Sequence, residues 1–167
     1  LKRDEIRSSI NHPNNEGFTP LLGAIDVNLT DIALKLLEHP SISKSINQPS
    51  KNGTTPLLAA IKTDQNDIAL ELLQRNDIGP SINQTDKNGI NSLLLAIAQK
   101  QTDVVLKLLK CKDIGPSINQ PEKTTGGTPL FLAIMNKKTD IALELLKRED
   151  IGPSINQPSK NGITPLP

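Results

Sequence analysis

A chain of 167 residues with 35% hydrophobic and 22% charged side chains has enough apolar material for one folded domain, which excludes wholesale disorder. Its formal charge of +1 gives no overall field toward nucleic acid or an anionic membrane, and no apolar run approaches the ~18 residues that a membrane-spanning helix needs. Phe18 and Phe131 are the only aromatics, so the core must come from Leu, Ile, Val and Ala, and the single Cys111 excludes an internal disulfide framework or a cysteine-based metal site.

Self-comparison orders the rest of the chain. Equivalent glycines stand at Gly17, Gly53, Gly89, Gly126 and Gly162, spaced by 36, 36, 37 and 36 residues. The extra residue lies near Thr124 and Thr125. The segment Asp-Ile-Gly-Pro-Ser-Ile-Asn-Gln begins at Asp77, at Asp113 and at Asp150. A fixed period of this length is the mark of a repeat array. Residues 1–16 read as the tail of a preceding repeat, because Leu1 to Gly17 aligns with Leu146 to Gly162. Residues 17–52, 53–88, 89–125 and 126–161 read as repeats, and 162–167 as the start of a following one. Neither end carries the polar capping repeat that usually closes a solenoid, so the chain is expected to be a fragment of a larger array.

Within the unit that starts at Gly53 the elements follow in order. Lys51-Asn52-Gly53 is a turn signal. Thr55 is expected to cap a helix whose first position is Pro56, where a missing N–H costs nothing. Leu57, Ala60 and Ile61 then share one helical face. After a break at 62–66, Asn66 is expected to cap a second helix, with Asp67 in its first turn favoured by the helix dipole. Thr30-Asp31, Thr102-Asp103 and Thr139-Asp140 stand at the same place in the other units. Ile68, Ala69, Leu72 and Leu73 form the second apolar face. Gly79-Pro80 reads as a stop signal, followed by an extended Ser81-Ile82-Asn83-Gln84.

The openings Gly17–Leu21, Gly53–Leu57 and Gly162–Leu166 all read Gly-x-Thr-Pro-Leu, and Gly126-Gly127-Thr128-Pro129-Leu130 matches as well. Ala24, Ala60, Ala96 and Ala133 follow in register, and Leu-Leu pairs end the second helices. Over essentially the whole chain this pattern resembles the ankyrin repeat family. The resemblance implies an all-α solenoid of stacked helix-turn-helix units with extended or hairpin-like connecting loops. Several positions depart from the family pattern. The family period is about 33, whereas three extra residues fall between the Leu-Leu pair and Ile-Asn here. Leu22, Leu58, Leu94 and Phe131 replace the family's histidine, and Asn28, Asp64, Lys100 and Lys137 replace its inter-helix glycine. Asn91-Ser92 stands where Thr-Pro is expected, and Asn91 retains the ability to cap.

The resemblance also implies a non-catalytic protein-binding module that uses the turn tips and the exposed side of the first helices. Carried over by position, that surface comprises Phe18, Asp26, Val27, Lys51, Asn52, Lys62, Lys87, Ile90, Gln99, Lys123 and Met135. Lys51, Lys87, Lys123 and Lys160 make a row, one per tip. It reads either as a basic ladder for an acidic partner or as solvated charge copied by duplication, and the extra residue before Gly126 is expected to push Lys123 out of line. Phe18, Val27, Ile90 and Met135 read either as binding contacts or as loop packing. Asn11, Asn47, Asn83, Asn119 and Asn156 are expected to bond nearby backbone.

His12 and His39 are the only histidines and fall in different loops, and the recurring Asp31, Asp67, Asp103 and Asp140 read as helix-start residues. No phosphate-cradling motif is present. The expectation is a monomeric fragment with no enzymatic activity, cofactor or metal. Its partner would be another protein, with no nucleic acid and no membrane insertion. The alternative is a structural spacer that positions a binding or enzymatic domain elsewhere. Nearly verbatim copies rich in Ile, Asn and Lys resemble the arrays of bacterial effectors. That resemblance implies a cytoplasmic setting, in the host-cell cytosol after secretion.

Overall fold

The computed structural model describes residues 9–165. The expected tail match over residues 1–8, and Leu166 of the last Gly-x-Thr-Pro-Leu opening, lie outside these. Among the described residues every regular element is helical, apart from one isolated bridge between Thr85 and Asn91.

The first helices are Pro20–Asp26, Pro56–Lys62, Ser92–Ala98 and Pro129–Met135. Each starts as the residue types dictate. The N–H groups of Leu22, Leu58, Leu94 and Phe131 donate to the side-chain oxygens of Thr19, Thr55, Asn91 and Thr128 at 2.8–3.3 Å. Asn91 thus does the work of the missing threonine.

The same helices end in a left-handed residue. Asn28, Asp64, Lys100 and Lys137 have φ of 59°, 58°, 63° and 56°. The next N–H, from Leu29, Gln65, Gln101 or Lys138, reaches back to the carbonyl of Ala24, Ala60, Ala96 or Ala133. This is the Schellman ending, in which the sixth residue bonds the first. The departure from glycine therefore leaves the backbone path intact and places non-glycine residues where L side chains are strained.

The second helices are Thr30–Leu37, Asn66–Gln74, Thr102–Leu109 and Thr139–Leu146. Here the expectation for Asn66 and its counterparts is corrected. Asn66, Thr30, Thr102 and Thr139 are the first helical residues; Gln65, Leu29, Gln101 and Lys138 hold the capping positions, without a side-chain cap bond. The left-handed turn delivers the chain already wound, so the side-chain cap is not needed there.

The extended segment expected at 81–84 is also corrected. Gly79–Ile82, Gly115–Ile118 and Gly152–Ile155 are short helical turns, and Ile42–Lys44 is a 3-10 turn in the first unit. Pro80, Pro116 and Pro153 sit in the opening turn, so Gly-Pro starts an element instead of stopping one. The three residues by which the period exceeds the family's build this turn. It buries Ile42 with Ile46, Ile78 with Ile82, and Ile114 with Ile118.

First helices pack on first helices and second on second, so one core runs the length of the stack. Leu22, Leu58, Leu94 and Phe131, at the family's histidine position, are all buried in it or beside it. Between units the chain makes a hairpin-like tip, in which Asp86 N–H donates to Ile90 O at 3.0 Å. Gly53 turns the preceding tip, where Ser50 N–H donates to Thr54 O, with φ of 78°, and a Cβ there would meet Thr85 O at 3.0 Å. Glycine is therefore required at that place by both conformation and space.

Leu72 is fully buried, and Leu72→Ala should destabilise the protein by roughly 2–5 kcal/mol in chemical denaturation. Lys137→Gly should do the opposite. It relieves a left-handed lysine and should raise stability by about 1 kcal/mol, an effect that Lys138→Gly, one residue on at φ of −92°, should not share.

Candidate functional site

The tips are stitched into an edge by backbone bonds. Lys51 N–H donates to Glu16 O at 2.9 Å, Lys87 N–H to Asn52 O at 3.0 Å, and Lys160 N–H to Thr125 O at 2.7 Å. Each of these lysines is exposed at its tip. Lys51 Nζ also lies 3.9 Å from Glu16 Oε1, a loose pair in open solvent.

The fourth tip differs, because the extra residue lies in the tip itself. Glu122 accepts from the N–H groups of Thr124 and Thr125 and from the Thr125 hydroxyl. Burial raises its pKa, but these hydrogen bonds outweigh that and hold the carboxyl below its ordinary value. No backbone bond joins Lys123 to Asn88 among the described residues, and the Lys123 stem lies across Gly89 instead. Lys123 is exposed yet out of the stitched series.

Of the other residues carried over by position, Asp26, Asn52, Lys62 and Gln99 are exposed. Val27 keeps 62% of its surface in solvent and Met135 keeps 58%. Phe18 and Ile90 are half-buried, and Phe18 packs against the core. The four apolar candidates therefore divide: Phe18 packs against the core and Ile90 is half-buried, whereas Val27 and Met135 stand in solvent. Gln99 Nε2 donates to Lys62 O at 3.3 Å, which brings neighbouring first-helix ends together.

Behind this surface lie ties between repeats that a search for local bonds overlooks. Asn11, Asn47, Asn83 and Asn119, four of the five recurring asparagines, bond the next repeat instead of nearby backbone. Asn47 Nδ2 donates to Asp77 O at 2.6 Å, and Asn47 Oδ1 accepts from the Ser81 hydroxyl at 2.6 Å. Asn11 bonds Ser41 O and Ser45, Asn83 bonds Asp113 O and Ser117, and Asn119 bonds Asp150 O and Ser154 in the same way. The serines are fully buried. The recurrence of Ser in Gly-Pro-Ser was the visible sign of this pairing. Gln65 and Gln101 add a second tie, donating to Ile25 O at 2.7 Å and Ile61 O at 2.8 Å.

Arginine supplies a third tie. Arg75 grips both oxygens of Asp77 at 3.0 Å and donates through Nη1 to Leu37 O at 3.2 Å. Arg148 grips Asp150 at 2.8 Å and donates to Leu109 O at 3.1 Å. A planar fork suits a carboxylate and a helix-terminal carbonyl at once. Cys111 holds the same register between them, and its thiol, pushed up by burial, donates weakly to Lys107 O. No group of three or more His, Cys, Asp or Glu is placed to hold a metal ion among the described residues. No described helix is long and apolar enough to cross a membrane.

The two clamps respond to acid. Hydrogen bonds from Arg75 and Arg148 hold the Asp77 and Asp150 carboxyls below their ordinary values, with burial opposing. A group depressed in the folded state contributes stability that is complete above its unfolded pKa, near ~3.9 for Asp, and is lost as the pH falls through the folded value. Unfolding measured from about pH 5 downward should show this loss, and Asp77→Asn with Asp150→Asn should flatten it. Equal acid profiles would remove the clamps as its source.

The comparison with known families agrees with this architecture. The model of ankyrin repeats (3 copies) matches residues 36–121, just over half of the chain. No curated protein matches. Ankyrin repeats are in general protein–protein interaction modules and typically non-catalytic. The stacked two-helix units, the Thr-Pro-Leu openings and the matching family model together establish that the chain belongs to the ankyrin-repeat family.

Proposed function

We propose that this chain captures an acidic segment of a partner protein along its stitched tips. The carrying observation is the series of backbone bonds that fixes exposed Lys51, Lys87 and Lys160 to the tips before them. Charges on a fixed edge lose less freedom on binding than charges on independent loops. Exposed Asp26, Val27, Lys62, Gln99 and Met135 extend the surface from the tips along the first helices. Lys123, drawn over Gly89, contributes less than its neighbours.

Electrostatic capture of this kind weakens with salt. An oligoglutamate peptide titrated against the protein should bind more weakly as ionic strength rises. Lys51→Glu with Lys87→Glu should reduce its affinity about tenfold or more. An unchanged affinity in that variant would sink the tip row as the site.

The alternative role, a spacer that holds another domain at a set distance, is favoured by a different observation. Asparagine, glutamine and arginine ties stiffen the stack from one repeat to the next. The proposal also extends to setting. Nearly verbatim copies rich in Ile, Asn and Lys support a bacterial effector working in the cytosol of a host cell. Translocation of a reporter fused to the full-length protein tests that part.

A further inference from the structure

The seam at Cys111 retains the acceptors of an arginine clamp without the arginine. Register places Cys111 with Arg75 and Arg148, Asp113 with Asp77 and Asp150, and Leu73 with Leu37 and Leu109. In the two complete seams the guanidinium joins the carboxylate to the carbonyl. In this seam neither Leu73 O nor the Asp113 carboxylate has a protein donor among the described residues. Asp113 is nevertheless aimed as Asp150 is. Its Oδ2 faces Gly79 just as that of Asp150 faces Gly115.

A cavity of about 440 Å³ opens at this place. Leu73, Ile78, Ile82 and Cys111 give it an apolar wall, and Asp113 lines it. Arg75, its guanidinium held by Asp77, lines it as well, together with three lysines, Lys107, Lys110 and Lys112. By register the lysines stand where the Arg148 seam has Glu144, Lys147 and Glu149. The cavity thus offers a guanidinium-shaped set of acceptors beside a group of lysines. A free cation meets repulsion there. An arginine that brings acidic neighbours satisfies both features.

The geometry points to a second docking site, in which an arginine flanked by acidic residues on a partner protein enters the Cys111 seam and completes the clamp in trans. Its guanidinium would bond Asp113 and Leu73 O as Arg148 bonds Asp150 and Leu109 O. Its methylenes would lie on Leu73 and Ile82, and the flanking carboxylates would meet Lys107, Lys110 and Lys112. This site uses none of the tip lysines and is independent of the tip-row reading.

The probe is acetyl-Arg-Glu-Glu-amide, titrated into the isotope-labelled protein by NMR, with the citrulline peptide as the uncharged isostere. Saturable shifts are expected at the amides of Gly79, Cys111 and Asp113, with a dissociation constant on the order of 1 mM. The citrulline peptide should bind about tenfold more weakly or worse, because a charge-assisted pair is lost. Cys111→Arg should fill the seam from within, raise the melting temperature and abolish the shifts. Asp113→Asn should weaken binding without filling the cavity. If Cys111→Arg does not fold, Cys111→Met blocks the same space with an uncharged chain and should also abolish them. Lys51→Glu with Lys87→Glu should leave the shifts unchanged, so failure here and failure of the tip row are read separately. Equal binding of the citrulline peptide, undiminished affinity in Asp113→Asn, persistence of the shifts in the filled variant, or no saturable shift at all would overturn the proposal.

Discussion

First and second helices of seven to nine residues do not persist alone in water, where about 12–15 residues are marginal. The contact between one repeat and the next therefore carries this fold. Leucine, isoleucine, valine and alanine supply its area, and they are directionless. Direction comes from the asparagine that spans each junction, donating to a carbonyl and accepting from a buried serine of the following unit. A slip of one residue would leave the buried serine hydroxyl unpaired, which is costly inside a protein. Apolar burial holds the layers together, and the asparagine fixes which residue faces which.

The length of the unit follows the same logic. Aromatic side chains are almost absent, so each thin layer has limited apolar area. The added helical turn supplies isoleucines such as Ile78 and Ile82 to the core and presents the serine to the preceding asparagine. One insertion thus widens the layer and completes the polar tie. The turn between the helices moves in the opposite direction energetically. Asn28, Asp64, Lys100 and Lys137 bear a strained backbone that glycine would relieve, and the stack tolerates it because the alanine carbonyls are still satisfied.

Most of the architecture was legible because period and residue type agreed. Thr-Pro-Leu openings specify a cap, a first helical position and a buried face together, and the helices start where those residues stand. Two local readings failed for a common reason. Gly-Pro reads as a stop when only neighbours in sequence are considered, yet contact with the preceding repeat makes Gly79–Ile82 helical. Asn47 has turn-forming chemistry, yet its partners are thirty or more residues away. The exposure of candidate residues was legible where the side chain ends a helix, as at Val27 and Met135. It was less so at Phe18, where a loop folds back on the core. Arg75 and Arg148 escaped notice because their carbonyl partners lie in the previous unit, although the repeated Arg-x-Asp was in view.

Residues 111–125 lie against residues 73–89 without the arginine grip found on either side, and the tip there has lost its backbone bond as well. The asparagine and its serine remain, as do Gln101 and Gln99 on the helices, which donate to Ile61 O, Asp64 Oδ1 and Lys62 O. A rod made of nominally equal links yields first at the link with fewest fasteners. In this array the fullest set, with asparagine, glutamine, arginine and tip bond together, joins residues 17–52 to 53–88, and each of the two junctions after it lacks either the arginine or the glutamine. Amide exchange by local opening would be slowest at that fully tied junction, and bending under load would fall on the junctions that follow it.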